Sequence, residues 1–234
     1  MSHIRVPEGK PSVPVADTAP SMPQPQIGDP GPLGLAAFAL TTFVLSVFNT
    51  NMISEAVAAA VLPVALFYGG LAQLLAGMWE FRKGNTFGAV AFSSFGAFWL
   101  SFAAYVRFVA PGLDPADAGN ATGLFLLAWA VFTLYMTVAA MRTNGAVLAV
   151  FVTLSITFIL LTIGAFADSP NWTKSGGVLG IITAVCAWYA SFAAVTNGTW
   201  GRTLLPTWPL SDSRPLMSYR GNLMAERETT TVAR

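Results

Sequence analysis

Six apolar stretches between residues 33 and 200 set the strongest limit on what this chain can fold into. Each is close to the roughly 20 residues that carry a helix across a hydrocarbon core about 30 Å thick. Lipid offers no partner to a backbone N–H or C=O, so each stretch must satisfy its own backbone as a helix. The spans read as about 33–53, 56–79, 86–109, 120–141, 146–166 and 176–197. Only 10% of the 234 residues are charged, and 54% are hydrophobic. A soluble domain carries about 25% charged residues, so a soluble helical bundle of this composition would lack the surface to cover its core. The expected fold is all-α, a polytopic membrane protein with six transmembrane helices.

The ends of the chain differ in character from its middle. Residues 1–28 are polar and proline-rich, with Glu8, Lys10 and Asp17 but no hydrophobic signal core, and are expected to form a flexible cytoplasmic tail. A second cytoplasmic tail is expected over 207–234, leaving one membrane domain at 29–206. Charge placement orients that domain. With the N-terminus in the cytoplasm, only Arg107 and Lys174 of the 12 lysines and arginines fall outside, and an even number of spans returns the C-terminus to the same side, as the positive-inside rule favours. Glu55, Asp114, Asp117 and Asp168 fall in the outside loops, where acidic residues carry little orienting weight.

Several chemistries are excluded. A single cysteine, Cys186, cannot form an intramolecular disulfide and suits helix packing. The one histidine, His3, is in the tail, so a histidine proton relay is absent from the membrane domain. No nucleotide-binding loop, zinc-ligand spacing or nucleophile and base pair is visible, so no enzyme activity, cofactor, metal or nucleic-acid partner is expected. Charges are nearly absent from mid-span, which argues against a redox enzyme, a carboxylate-relay pump or a voltage sensor.

Polar groups that do lie in the spans need partners, either in helix packing or along a solute route. Hydroxyls cluster in the first, third and fifth spans, while the second has almost none. Phe38, Thr41 or Thr42, Leu45 and Asn49 recur at helical spacing on one face of the first span. In the third span Phe95, Trp99 and Phe102 form an aromatic stripe beside Ser94, Phe98 and Ser101; in the fifth, Leu154, Thr157, Leu161 and Gly164 repeat the pattern. Neutral donors interrupted by large apolar side chains would strip water from a small solute and exclude bulky ones. The same serines and threonines can instead bond to the preceding helical turn. Glu80, beside Arg82 and Lys83, reads either as an interfacial salt-bridge cluster or as a solute gate or proton-linked group. Gly69, Gly70 and Gly77 are close-approach positions, Pro63 is a kink position, and Trp79, Trp172 and Trp200 suit interfacial anchoring.

An ordered set of motifs resembles the acetate uptake transporter family, with its bacterial succinate-acetate permeases and fungal acetate or ammonia-export relatives. Asp29-Pro30-Gly31-Pro32-Leu33-Gly34-Leu35 is close to the family's Asn-Pro-Ala-Pro-Leu-Gly-Leu signature. Further matches run through Phe67–Gln73, Gly77–Gly88, Phe95–Leu100 and Gly201–Pro206. The resemblance implies a six-helix subunit, one of six in a homohexamer, that passes acetate and other small carboxylates, with succinate less securely carried over. It places a narrow constriction at Phe38, Phe95 and Leu154 and the lead motif close to the cytoplasmic side of the route; Asp29, Glu80 and Asn85 are the expected gating or cytoplasmic-entrance residues. It also implies residence in a plasma membrane or bacterial inner membrane among lipids. Asp29 and Gly31 replace asparagine and alanine of the signature, and Phe95 stands where a bacterial relative has tyrosine, which leaves selectivity open. Proton-linked symport, a passive anion channel and a non-transport sensor or scaffold are the readings to separate.

Overall fold

The computed structural model describes residues 27–211, and they form an all-α bundle. Six helices are long and apolar enough to cross a membrane: α1 Gly31–Asn49, α2 Ala56–Lys83, α3 Thr86–Gly112, α4 Pro115–Ala140, α5 Gly145–Phe166 and α6 Pro170–Trp200. Of the expected tails at 1–28 and 207–234, residues 1–26 and 212–234 lie outside the described residues.

Local chemistry sets the helix ends. Prolines occupy the first turns of α1, α4 and α6, where a missing N–H breaks no intrahelical bond. Proline lets α6 begin at Pro170, ahead of the apolar run expected from 176. Asn85 and Asn144 cap α3 and α5, their side-chain oxygens accepting from the Gly88 and Val147 N–H groups at 3.2 and 3.0 Å. Gly84 closes α2 at φ 81°, a left-handed conformation that glycine takes without steric cost. The second helix is irregular. A tight 3-10 turn over Glu55–Ala60 leads into Val61–Val64, which contains Pro63; the helix then widens to a π-helix over Ala65–Ala72 before resuming α geometry at Gln73.

The helices close into a ring in which α1 packs on α6 and α2, α5 packs on α4 and α6, and α2 packs on α3. Lipid gives helices no hydrophobic reason to associate, so close packing of small residues does that work. A Cβ placed on Gly77 would overlap Ser93 of α3, and one on Gly180 would overlap Ser46 of α1. The α3–α4 seam is built differently, from large rings that hold the backbones apart. Phe98 lies 5.6 Å from Phe125 and 5.2 Å from Trp129 between ring centroids.

After α6 the chain folds back over one end of the bundle. Gly145 N–H donates to the Trp208 carbonyl at 2.7 Å and Leu210 N–H to the Thr143 carbonyl at 3.0 Å. Tyr189 donates to the Pro206 carbonyl at 2.7 Å, and the Asn197 amide brackets Leu204 and Leu205. Ordered chain therefore continues past 206 to the α4–α5 turn. Asp29, Lys83, Thr143 and Thr207 all border one cavity at this end, so both ends of the described chain meet there.

Candidate functional site

Two cavities enter the ring, one from each end. The first, about 290 Å³, opens among Asp29, Lys83, Asn85, Asn144 and Thr207. It deepens past Gln73 and Glu80 to Phe38, Phe95 and Leu154. The second, about 420 Å³, is bordered by Leu45, Asn49, Asn51, Tyr105, Thr122, Asp168 and Thr173. Both ends thus offer polar groups to a solute entering a largely apolar ring.

Between the cavities lies an aromatic plug. Phe38 and Phe95 are 4% and 2% exposed, with ring centroids 5.5 Å apart, and Leu154 is equally buried at 4%. Phe95 also meets Trp129, Phe132 and Phe151. Trp129 passes the contact to Phe98, which stacks on Phe102 and Phe125 at the wall of the second cavity. Phe158 closes edge-on against Phe98 at 5.5 Å. Rings and apolar side chains leave water few partners there, which is the arrangement of a hydrophobic constriction.

The structure thus brings Phe38, Phe95 and Leu154 together with Asp29, Glu80 and Asn85 around one cavity, and puts Leu45 and Asn49 on the other. Thr41, Thr42, Ser94, Phe98, Trp99 and Thr157 border neither. Thr41 faces Gly69 of α2 and donates to the Ala37 carbonyl at 2.9 Å. Thr157 donates to the Thr153 carbonyl at 2.9 Å and meets Thr183 of α6 at 3.3 Å. Phe98 and Trp99 sit in the plug itself, 4.9 Å apart. Thr42 Oγ1 and Trp99 Nε1 are buried without a hydrogen-bond partner.

At the mouth of the first cavity the charges pair across sequence. Lys83 Nζ bonds Asp29 Oδ1 at 2.8 Å, and the same oxygen accepts from the Gly31 N–H at 2.9 Å. Lys83 thus reaches the chain entering α1, although the sequence places it beside Glu80. Glu80 is 1% exposed, hydrogen-bonded through its side chain to Asn85, with Oε2 unpartnered. Gln73, one of the groups that sequence reasoning missed, is also 1% exposed with Oε1 unpartnered. It stands seven residues before Glu80, two turns along the same helix face. That spacing was the available signal: an amide in a span otherwise nearly free of polar groups. Buried polar atoms are almost always satisfied, so an orphaned oxygen on each of two residues lining one cavity points to a ligand or water in that cavity.

A ring of six apolar helices, entered by a polar-mouthed cavity from each end and plugged by aromatic rings, defines the class: a polytopic membrane transport protein. A family model described as the GPR1/FUN34/yaaH family matches residues 14–212. The chain belongs to the GPR1/FUN34/yaaH family. It is 45% identical to "Accumulation of dyads protein 2" of Saccharomyces cerevisiae, over 80% of this chain and 68% of that protein. It is 45% identical to "Ammonia transport outward protein 2" of the same yeast, over 75% of this chain and 64% of that one. The "Succinate-acetate/proton symporter SatP" of Escherichia coli strain K12 is 37% identical over 77% of this chain and 95% of its own length. A solved structure titled "Structure of the bacterial acetate channel SatP" superposes with a TM-score of 0.72 at 38% identity, over 78% of this chain and 99% of that one.

Proposed function

We propose that this chain passes acetate and related small carboxylates across a membrane, along the axis that joins its two cavities through Phe38, Phe95 and Leu154. The observation that carries the reading is the pair of opposed cavities separated only by a ring plug, in a family whose bacterial relative is named a succinate-acetate/proton symporter. The mouth with Asp29 and Lys83 is the cytoplasmic one: Arg82, Lys83, Arg142 and Arg202 lie at that end, against Arg107 and Lys174 at the other. Both tails then lie in the cytoplasm, with 29–206 as the transport domain, and a plasma membrane or bacterial inner membrane is its setting. The lining polar groups replace part of the solute's water, and the plug admits one small, largely dehydrated acyl chain.

Self-association as a homohexamer belongs to the same reading. Its support is the family resemblance together with the apolar stripe that α2 presents outward through Phe67, Leu71, Leu75 and Met78. Native mass measurement in lipid-retaining detergent is expected to give six copies; a stable monomer would remove the ring. For transport itself, purified protein in liposomes is expected to take up labelled acetate above protein-free vesicles and to recover it chemically unchanged. Acetate binding without flux would favour a sensor, and neither binding nor flux would remove both readings.

A further inference from the structure

We infer that Glu80 is the group that links a proton to each acetate: the solute's carboxyl group seats against the free Glu80 Oε2, and the two carboxyl groups hold one proton between them. The inference rests on the transport reading above and assigns the coupling that the reading leaves open.

Three observations converge. First, Glu80 is almost wholly buried, borders the first cavity, and has one oxygen without any partner while Asn85 serves the carboxyl group from its other side. An ionised carboxylate only accepts hydrogen bonds, so what satisfies the free oxygen must bring a donor. Secondly, the other orphaned atom of this cavity, Gln73 Oε1, is an acceptor too. Thirdly, the charged groups bordering the cavity are Asp29 and Glu80 against the single cation Lys83, and Lys83 is already engaged by Asp29 at 2.8 Å. The neighbours contributed by α3, the α4–α5 turn and the returning chain are Asn85, Thr143, Asn144 and Thr207, none of them charged.

Such a site rejects a bare carboxylate and accepts a carboxylic acid. Two carboxylates in contact in a poorly solvated site cannot both stay ionised, so one proton is held by the pair. The balance is simple. The acid forms at the cavity mouth from R–COO⁻ and a proton of the bulk water, enters as R–COOH and donates its O–H in a hydrogen bond to Glu80 Oε2. No covalent bond changes inside the site, and R–COOH leaves with the one proton it brought. The solute therefore approaches the ring plug as the neutral acid while Glu80 stays in the cavity wall, and the membrane domain needs no histidine or multi-carboxylate relay.

The test is acetate and proton flux measured together in proteoliposomes of the full chain, with the membrane potential set independently. The wild-type protein is expected to move one proton per acetate, at a rate that does not respond to a potential able to redistribute an anion tenfold. Glu80→Gln keeps shape and burial but cannot hold a proton, and its amide offers a donor to the anion. Its proton-to-acetate ratio is expected to fall toward zero, with acetate flux now responding to the potential. Glu80→Gln retaining a ratio of one would overturn the assignment. Should that variant not assemble, a tenfold response of the wild-type acetate flux to the potential still overturns the proposal, and the aspartate variant carries the test of the residue. Glu80→Asp, which restores a carboxyl group, is expected to keep the ratio at one with a lower rate, and an uncoupled aspartate variant would count against it. Absence of any acetate flux from wild-type protein is a different failure, that of the transport reading itself.

Discussion

Replacing Phe95 by alanine removes the ring on which the plug is centred. Phe95 touches Phe38, Phe132, Trp129 and Phe151 at centroid distances of 5.5, 5.3, 6.1 and 6.1 Å. Aromatic pairs contribute about 0.5–1.5 kcal/mol each beyond buried area. Core Phe→Ala changes cost about 3–5 kcal/mol in all, and because lipid is as apolar as the bundle interior, the lower end, about 3 kcal/mol, applies here. The lost ring leaves roughly 100 Å³, room for about three waters at ~30 Å³ each. An apolar site discriminates one methylene by about 1–3 kcal/mol, or about 10–200-fold. Phe95→Ala is therefore expected to raise butyrate flux relative to acetate by about tenfold or more, the minimum of that range. The assay is competitive uptake of acetate, propionate, butyrate and succinate in proteoliposomes, alongside a thermal melt of the same preparation. A melt lowered as expected with an unchanged selectivity order would refute Phe95 as part of the constriction while leaving its packing role intact.

Other substitutions probe different parts of the account. Gly77→Leu sets a side chain on Ser93 across the α2–α3 seam; overpacking of about 1–3 kcal/mol or more should appear as a lower melting temperature in detergent. Asp29→Asn breaks the Lys83 ion pair, whose side chains are 38% and 53% exposed. Stability should move by less than about 1 kcal/mol, as for other exposed pairs. Asparagine still accepts from the Gly31 N–H, but the freed Lys83 should lower the half-saturating acetate concentration a few-fold at low salt, with the gain lost as ionic strength rises. An unchanged salt dependence would mean that Lys83 does not meet the solute.

Helix number and course were legible because a lipid-spanning backbone has so few alternatives. Hydropathy set the six spans, and turn chemistry such as Gly84 and Asn144 marked their ends. The π-helical stretch Ala65–Ala72 was not legible, since its apolar residues fit α or π geometry equally and tertiary packing decides between them. The site was legible in part. Phe38, Phe95 and Leu154 are 57 and 59 residues apart along the chain, and only the family resemblance joined them before the ring did. Hydroxyl clusters were ambiguous for a physical reason visible in Thr41, Thr133 and Thr162, which donate to carbonyls of their own helices. Glu80 was legible as a neighbour of Lys83, which follows it by three residues; that Lys83 pairs with Asp29, 54 residues away, appears only in the fold.

The central claim is that solute crosses through the ring at Phe38, Phe95 and Leu154, and Leu154→Trp tests it most directly. Leu154 borders the first cavity and not the second, so the larger side chain narrows the route from the first cavity's side. Labelled acetate uptake by assembled Leu154→Trp protein in liposomes is expected to fall at least tenfold below wild type, while Leu154→Ala, made in parallel, keeps uptake and admits longer acids. Wild-type acetate uptake by a folded tryptophan variant would place the route elsewhere and contradict the account.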